Sequence, residues 1–296
     1  MEKFLIVTAD DFGLHEAINA AVDEASVSGV LTTASLMVGA PACADAIARA
    51  RALPGLRIGL HLVLADGWSV LPHRLIPALV NRQGRFPNRM FVEGLRYFAL
   101  PAVRKQLEAE IRAQFEAFAS SGLALDHVNA HKHFHLHPTL LEIILRVGTE
   151  FGLAAMRVPY EPPALAASGN TLWRGAAALL LAPWLALMRR RLRARDIACN
   201  DQVLGLAASG SLGEATLLHA LAKLPRGTTE IYLHPALSAS GPISSGMRKY
   251  RHADELAALL SPRVRAAMEA TGASRGGYAD LLRMRSQPEP GGSAAA

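Results

Sequence analysis

The sequence predicts an α/β fold: an irregular (β/α) barrel-like fold with mainly parallel strands, plus an apolar helical insertion. Strand-like apolar runs alternate with amphipathic helical patterns, an order typical of a parallel sheet with helices outside it. The 296 residues are 51% hydrophobic, which is enough to bury one large core. We therefore expect a single domain over residues 1–285, with the insertion at about 164–195 and a disordered tail at 286–296.

Apolar runs bounded by turn residues predict the strands, at residues 3–9, 33–39, 57–64, 124–131, 154–159 and 229–235. Helical periodicity predicts the helices between them, at residues 15–29, 42–55, 101–122, 139–152 and 213–227. Residues 65–100 contain turn-forming sequence such as NRQGRFPN, and we expect a loop there.

The net charge is +6 and the isoelectric point is about 9.7, but five arginines lie together within residues 189–195. Outside this cluster the chain is close to neutral and has no RNA- or DNA-binding motif, which argues against nucleic acid as a partner. Cys43 and Cys199 form no CxxC pair, so we expect a reducing compartment. The first apolar run is too short for a signal peptide, which predicts a cytoplasmic protein.

The insertion contains 13 consecutive residues without a polar side chain, from Ala176 to Met188, and the arginine cluster follows at once. Spanning a bilayer takes about 20 residues, so no transmembrane helix is expected. One interpretation is a buried helix or lid. The other is peripheral contact with the inner face of a membrane, in which arginines meet anionic head groups and apolar side chains enter the interface. The membrane-contacting residues would be Trp173, Leu180, Trp184 and Leu185.

Five of the eleven histidines lie in HVNAHKHFHLHP, residues 127–138. All five are at odd-numbered positions, so a strand would place them on one face together with Asn129 and leave a mostly apolar opposite face. The stretch lies mid-chain, unlike a purification tag, and the density of imidazoles indicates a metal site. Because a catalytic metal typically takes about three protein ligands, we expect other strands to supply the rest.

Acidic and imidazole side chains lie at the same end of several predicted strands. Asp10 and Asp11 follow the first strand, His61 ends the third, His131 ends the fourth and His234 ends the last. The carboxyl ends of parallel strands form one face, where α/β active sites lie. Asp11, His61 and His131 would bind one divalent cation there, since two histidines and a carboxylate make a common catalytic site.

The neighbouring groups receive catalytic or supporting roles in this interpretation. Asp10 would be the general base for a water whose pKa a metal lowers toward about 7, and His234 the general acid for a leaving amine. His133 and His135 would contact substrate or support the ligands. Simpler roles stay open, because Asp11 could cap the following helix and the third-strand histidine could be an ordinary core residue.

Four segments resemble the YdjC-like carbohydrate deacetylases: IVTADDFGLHEAIN, IGLHLVL, LDHVNAHKHFHLHP and EIYLHPA. The resemblance implies a (β/α)-barrel-like fold and removal of acetyl groups from N-acetylated amino sugars. It also implies a divalent metal held by one Asp and two His, here Asp11, His61 and His131. Many members have Asp-Ser before the first cluster histidine, whereas this chain has Asn129 and Ala130. This version looks more like the branch associated with hopanoid biosynthesis, HpnK, and that likeness would give the apolar insertion a reason.

We therefore expect a metal-dependent N-deacetylase acting on a lipid-linked N-acetylglucosaminyl hopanoid. Nitrogen-rich ligation favours Zn²⁺ as its single ion, and the resemblance leaves Mg²⁺ open. Asn129, Arg157 and Asp201 are expected near the substrate. Three alternatives stay open: a soluble chitooligosaccharide deacetylase, a metal-dependent phosphoesterase with Lys132 and Arg157 as its cations, and a non-enzymatic metal-binding protein.

Overall fold

Strands from both halves of the chain form one central sheet. The computed structural model describes residues 2–162, 165, 171–238 and 243–286, with the backbone alone at 171–180 and at 245. The strands are β1 (Lys3–Phe12), β2 (Thr33–Leu36), β3 (Arg57–Leu62), β4 (Leu125–Ala130), β5 (Gln202–Leu204), β6 (Gly227–Leu233) and β7 (Ser274–Arg275). Their order is β4-β3-β2-β1-β6-β5, and β7 pairs with the start of β1.

Every strand pairing in the described part of the chain is parallel. The sheet curls into a half-barrel with helices around it, so the predicted α/β fold is confirmed. The helices are α1 (Glu16–Val27), α2 (Cys43–Ala52), α3 (Met90–Ala99), α4 (Pro101–Ser120), α5 (Pro138–Glu150), α6 (Thr171–Arg193), α7 (Glu214–Ala222), α8 (His252–Leu260), α9 (Pro262–Ala270) and α10 (Tyr278–Ser286). Short 3₁₀ helices occupy His131–Leu136 and Ser245–Met247.

Strand β1 lies at the centre of the sheet and is buried from its second residue onward. It pairs with β2 on one side and with β6 on the other, and β3 and β4 extend the sheet beyond β2. Buried on both faces, a central parallel strand requires a nearly continuous apolar sequence, which FLIV at residues 4–7 supplies. Because the strands run in one direction, the residues that end β1, β3, β4 and β6 meet at a single edge.

The segment predicted as a fifth strand, residues 154–159, is not a strand. It makes only isolated bridges, Val128 to Met156 and Ala155 to Ala198. Residues 154–157 bond to the backbone of Val128 and Ala198. At Val158 the side chain of Asn200 takes the place of a strand partner: its Oδ1 accepts from the Val158 backbone N–H, and its Nδ2 donates to the Val158 carbonyl, each at 2.8 Å.

The structure also corrects the prediction that the five histidines share one face of a strand. Strand β4 ends at Ala130, and a 3₁₀ helix begins at His131. Lys132 and His133 have left-handed backbone angles, with φ of 55° and 54°, which turn the chain out of the strand direction. The odd-numbered histidines therefore point in different directions.

Helix α6 packs against the rest of the protein near its carboxyl end. Leu185 is 3% exposed within the core, and Trp184 donates its indole N–H to the Leu136 carbonyl at 2.9 Å. The structure thus contradicts the predicted membrane contact for these two residues, because they face the domain. Trp173 and Leu180 lie outside the described side chains. Among the described residues, no helix has both the length and the apolar character to cross a membrane.

The carboxyl-terminal segment closes the opposite, amino-terminal edge of the sheet. Asp126 of β4 accepts hydrogen bonds from the backbone N–H groups of Tyr278 and Ala279, at 3.1 and 2.8 Å. The guanidinium of Arg57 donates to both carboxylate oxygens of Asp280. Helix α10 ends at Ser286, and the rest of the predicted tail lies outside the described residues.

Candidate metal centre

Asp11, His61 and His131 converge at the carboxyl edge of the sheet. One ligand atom from each, a carboxylate oxygen and two imidazole nitrogens, all lie within 4.8 Å of one another. Oδ1 of Asp11 is 3.2 Å from Nε2 of His61 and 3.0 Å from Nδ1 of His131. The structure therefore brings together the three residues that the strand-end argument singled out.

The backbone at Asp11 departs from regular strand geometry. Its φ is 63°, and the pairing of β1 with β2 shifts register between Ala9 and Phe12. In a regular strand, adjacent side chains point to opposite faces. The irregularity lets neighbouring carboxylates serve one site: Asp10 lines the cavity, and Asp11 meets the two imidazoles.

A chain of buried hydrogen bonds, which we call the relay, fixes the orientation of His61. The relay runs from Asp126 through His127, Ser35 and Asn129 to His61. Asp126 accepts from Nδ1 of His127 at 2.9 Å, and Nε2 of that imidazole lies 3.1 Å from the Ser35 hydroxyl. Oγ of Ser35 accepts from Nδ2 of Asn129 at 2.9 Å, and Oδ1 of the same amide lies 2.6 Å from Nδ1 of His61.

The direction of the relay determines which nitrogen of His61 is free. Because the Asn129 amide donates to Ser35, its Oδ1 faces His61 and must accept the Nδ1 proton. Nε2 is then left as a lone pair directed at Asp11. This is the arrangement that a histidine metal ligand needs, since the partner of one ring nitrogen sets the role of the other.

The electrostatics of the candidate ligands place a buried anion, Asp11, between two imidazoles. Burial alone would raise the pKa of Asp11, but the His131 and His61 imidazoles hold it well below its usual range. Burial likewise opposes charge on His61, yet the Asp10 and Asp11 carboxylates raise its pKa. Oδ2 of Asp11 is buried and has no hydrogen-bond partner, a costly state that a cation would relieve.

Asp10 is held by a buried ion network rather than standing free. Arg157, fully buried, donates to both of its oxygens at 2.6 and 3.0 Å, and to Glu230 at 2.7 and 2.8 Å. Although burial would raise the pKa of Asp10, the Arg157 guanidinium lowers it well below its usual value. Asp10 is therefore an anion whose position is fixed from behind.

A cavity of about 240 Å³ opens beside these groups. Its wall includes both catalytic candidates, Asp10 and His234. Nε2 of His234 is 3.9 Å from Oδ2 of Asp11, and its Nδ1 is 3.9 Å from Oε2 of Glu255. The other lining residues are His61, Asp66, Ala130, His131, Lys132, His133, Leu206, Ser209, Tyr232, Ser244, Gly246, Met247 and Tyr250.

The two further histidines of the cluster occupy different positions. His133 lines the cavity, with Nε2 3.0 Å from the Tyr232 hydroxyl, and burial together with Arg157 lowers its pKa well below the usual value. His135 is fully buried and donates from Nε2 to the Arg157 carbonyl at 3.1 Å. Burial lowers its pKa to about 3. His133 is thus placed to touch a substrate, and His135 supports Arg157 from behind.

Two residues expected near the substrate, Arg157 and Asp201, do not line the cavity. Arg157 does not reach the cavity, because Asp10 and Glu230 occupy its guanidinium. Asp201 precedes β5, at the amino end of the sheet, where its Oδ2 accepts from the Thr228 backbone N–H at 2.8 Å. The candidate site lies at the opposite, carboxyl edge. Asn129 is buried in the relay and supports the ligands without touching the cavity.

Sequence reasoning missed Glu230 and Tyr232, the supporting side chains of β6, although it singled out His234 directly after the same strand. Glu230, Tyr232 and His234 alternate along EIYLH, and the period of two that marks a strand face would have linked them. Tyr232 lies beneath Arg157, with the guanidinium carbon 4.7 Å from the ring centroid. Ser35 had no signal of its own, because a buried serine on an apolar strand is common.

Fold and site together define an α/β protein whose parallel sheet carries a candidate divalent-cation centre at its carboxyl edge. The sequence profile of YdjC-like proteins matches residues 4–270, a range that includes all three candidate ligands. The chain belongs to the YdjC-like protein family.

Several relatives are similar to this chain over different lengths. A carbohydrate deacetylase of Brevibacillus brevis is 38% identical over 159 residues, 54% of this chain and 59% of that protein. One of Geobacillus stearothermophilus is 36% identical over 162 residues, 55% of this chain and 60% of that protein. The chain thus spans about three fifths of these two relatives. A chitooligosaccharide deacetylase of Serratia marcescens is 29% identical over 288 residues, 95% of this chain and 100% of that protein.

A solved structure from Enterococcus faecalis V583 has a similar fold, with a TM-score of 0.74 and 26% identity. It matches over 95% of this chain and 99% of that one. Its protein is described with a proposed role in cellobiose-phosphate cleavage.

Proposed function

We propose that the protein is a metal-dependent deacetylase that hydrolyses the N-acetyl group of an N-acetylated amino sugar. The observation that carries the proposal is the convergence of Asp11, His61 and His131 beside a cavity that Asp10 and His234 also line. Family membership supports the reaction class, as do relatives described as carbohydrate and chitooligosaccharide deacetylases.

Asp11, His61 and His131 would hold the ion, and their nitrogen-rich donor set favours zinc over magnesium. A divalent cation bound there would polarise the acetamide carbonyl and increase the acidity of water. Asp10 takes the proton of the attacking water. Arg157 keeps this carboxylate ionised and fixes its direction.

His234 gives a proton to the amine nitrogen as acetate leaves. Its ring reaches the cavity, and Oε2 of Glu255 lies 3.9 Å from its Nδ1. His133 and Tyr232 line the cavity wall and offer hydrogen-bonding groups to sugar hydroxyls. The volume of about 240 Å³ suits one sugar unit, with the remainder of the substrate outside.

The alternative of a phosphoesterase is weaker in this geometry. Such an enzyme needs cations directed at a phosphate. Arg157 is committed to Asp10 and Glu230, and Lys132 donates to Asp66 and to Asn88 at 2.5 and 2.6 Å. A metal-buffering protein would need several clusters of metal-binding side chains. The described residues contain a single such cluster, Asp11, His61 and His131.

Two substrates of the proposed reaction remain to be separated. A soluble chitooligosaccharide is supported by the Serratia relative, which matches over nearly the whole chain. The lipid-linked N-acetylglucosaminyl hopanoid, acted on at the inner face of a membrane, is supported by the exposed Leu181 and Leu187 on α6. Replacing both leucines by serine should leave turnover of the soluble substrate unchanged. If the lipid is the substrate, the same variant should lose turnover in vesicles.

Acetate release from an N-acetylated chitooligosaccharide by the zinc-loaded protein tests the proposed activity. Asp11→Ala and His131→Ala should lose both the bound zinc and the activity. Asp10→Asn should keep the zinc, because it is not a ligand, and lose activity by about 100-fold or more. Full activity of Asp10→Asn would remove this residue from the mechanism. Failure of the loaded protein on both the soluble and the lipid-linked sugar would refute the deacetylase proposal.

A further inference from the structure

Helix α3 shows the reverse of the usual surface pattern. Its buried positions are Glu93, Gly94 and Tyr97. Its outward face carries Phe91, Leu95 and Phe98, spaced i, i+4 and i+7, which are 80, 56 and 65% exposed. A helix on the surface of a soluble domain normally turns polar residues outward and apolar residues inward. We call this outward surface of α3 the apolar face.

Further apolar side chains enlarge the apolar face. Val92 lies on the same helix and Leu100 directly after it, and both are exposed. The 72–80 segment packs alongside α3, since Arg96 donates to the Ala78 carbonyl at 2.7 Å, and it carries a further exposed apolar side chain, Leu75. A contiguous group of large apolar side chains on a surface marks an interaction site, unlike single exposed ones.

The charge around the apolar face is strongly one-sided. Residues 67–107 contain seven Lys and Arg residues against one acidic residue, Glu93. That glutamate is buried and paired with Arg89 and Arg96. The exposed cations of the segment are Arg74, Arg82, Arg89, Arg104 and Lys105. The cationic excess of this stretch, 7 − 1 = +6, equals the net charge of the whole chain.

We propose that the apolar face of α3 docks on an anionic lipid surface. Aromatic and leucine side chains on one face of a helix, with basic residues around them, match the interface between acyl chains and anionic head groups. A second copy of this chain fits less well, because facing two such surfaces would bring like charges together. Residues 287–296 contain no large apolar residue, so this segment cannot supply a matching cover.

Docking through α3 would bring the cavity close to the lipid surface. Asn88 lies two residues before α3, and its Oδ1 accepts from Nζ of Lys132, which lines the cavity. Gly94 of α3 packs beside His137, at the end of the turn that carries His131. The proposal concerns binding alone and does not depend on the deacetylase activity.

Co-sedimentation of the full chain with vesicles tests the proposal. Vesicles of phosphatidylglycerol with phosphatidylcholine should bind the protein, binding should weaken with added salt, and phosphatidylcholine alone should bind weakly. The variant Phe91→Ser/Leu95→Ser/Phe98→Ser should bind at least about tenfold more weakly, since three exposed apolar side chains no longer enter the interface. Its unfolding free energy should be unchanged or higher.

The matched control is Val27→Ser/Leu237→Ser/Met284→Ser, which removes three exposed apolar side chains elsewhere and should bind as the parent does. Wild-type binding by the α3 variant would overturn the proposal, as would loss of binding in Leu181→Ser/Leu187→Ser alone. A marked loss of unfolding free energy in the α3 variant would show that other residues of the same molecule cover the apolar face. If the parent does not bind vesicles but forms a dimer that the α3 variant converts to monomers, the apolar face is a contact between two copies of the chain. Either result would also overturn the proposal.

Discussion

Asp10 and Asp11 are adjacent in the chain, yet each carboxylate has its own set of partners. Two neighbouring anions in a buried site require compensating positive groups. Asp10 receives Arg157, and Asp11 receives the imidazoles of His61 and His131. The left-handed backbone at Asp11 makes this division possible. The sequence indicated that both could stay ionised only with such help, but it did not indicate that Arg157 would supply it for Asp10.

Ser35 lies far from the candidate cation and is expected to influence its affinity through the relay. Ser35→Ala removes the nearer of two acceptors of the Asn129 amide, Oγ of Ser35 at 2.9 Å, and leaves Oδ1 of Asp10 at 3.2 Å. The amide is then held less firmly, so His61 can rotate or take the wrong tautomer. We expect zinc affinity to fall by about 10-fold or more, as for other groups that orient metal ligands. Isothermal titration with zinc measures this.

Ser121→Ala is the control for that variant. Ser121 is also buried, but its hydroxyl bonds only to the nearby backbone at Phe118 and Leu123. Its loss should leave zinc affinity unchanged. Equal affinities for the parent and Ser35→Ala would show that the relay does not act on His61.

Gly59 of strand β3 leaves room for the imidazole of His127, which is part of the relay. A Cβ on Gly59 would overlap the imidazole ring of His127. The strand therefore needs glycine for close approach rather than for an unusual backbone angle. His127 is 0% exposed and occupies the space that a side chain on β3 would otherwise fill.

Gly59→Ala should destabilise the protein by about 1–3 kcal/mol, because the methyl group overpacks the relay. Urea unfolding of the metal-free protein measures the change, and zinc titration should show weaker binding. Gly55→Ala is the matched control, since a methyl group added there would meet no other atom within 4 Å. Its unfolding free energy should change by less than about 0.5 kcal/mol. Similar losses in both variants would contradict this account of Gly59.

The elements that the sequence predicted well are those in which local pattern and burial agree. Buried apolar runs gave β1, β3 and β6, and helical periodicity gave α4 and α5. Residues 154–159 have the same apolar character, but they form only isolated bridges, and at Val158 the side chain of Asn200 takes the bonds that a neighbouring strand would make. Helix α3 was missed, because turn residues precede it and its large apolar residues face outward.

The candidate site was predicted where a residue's place on a strand fixes its neighbours. Asp11, His61 and His131 lie at strand ends, and parallel topology alone brings them to one edge. Arg157, His135 and Asp201 could not be placed in this way. Their positions depend on where long side chains and connecting segments fold back, which strand spacing does not specify.

At the scale of the whole molecule, the carboxyl-terminal segment is bonded to strand β3, far away in the sequence. The carboxylate of Asp280 accepts two bonds from Arg57 of β3 and one from the Gly277 backbone. The bonds from Arg57 lower the pKa of Asp280 even though burial opposes them. A carboxyl group whose pKa is lower in the folded protein stabilises the fold at pH values above its unfolded-state pKa of about 3.9. This contribution to the unfolding free energy is lost as the pH falls through the folded-state pKa.

Asp280→Asn should therefore cost about 1 kcal/mol at neutral pH, a modest value because the pair is partly exposed. The difference from the parent should shrink as pH falls below about 4. Urea unfolding across this pH range measures it. Glu150→Gln, which breaks the exposed pair with Arg112, should change nothing measurable. A difference for Asp280→Asn that does not depend on pH would show a purely steric role.

Asp126 serves two distant parts of the protein at once, since its carboxylate orients His127 and also holds the backbone of Tyr278 and Ala279. A ribosome makes Asp11 early and Tyr278 near the end of synthesis. The backbone bonds that hold the Asp126 carboxylate from behind can therefore form only after the last helix has left the exit tunnel. We expect a nascent chain to be a poor acceptor of zinc, and the cell to deliver the ion only after translation has finished.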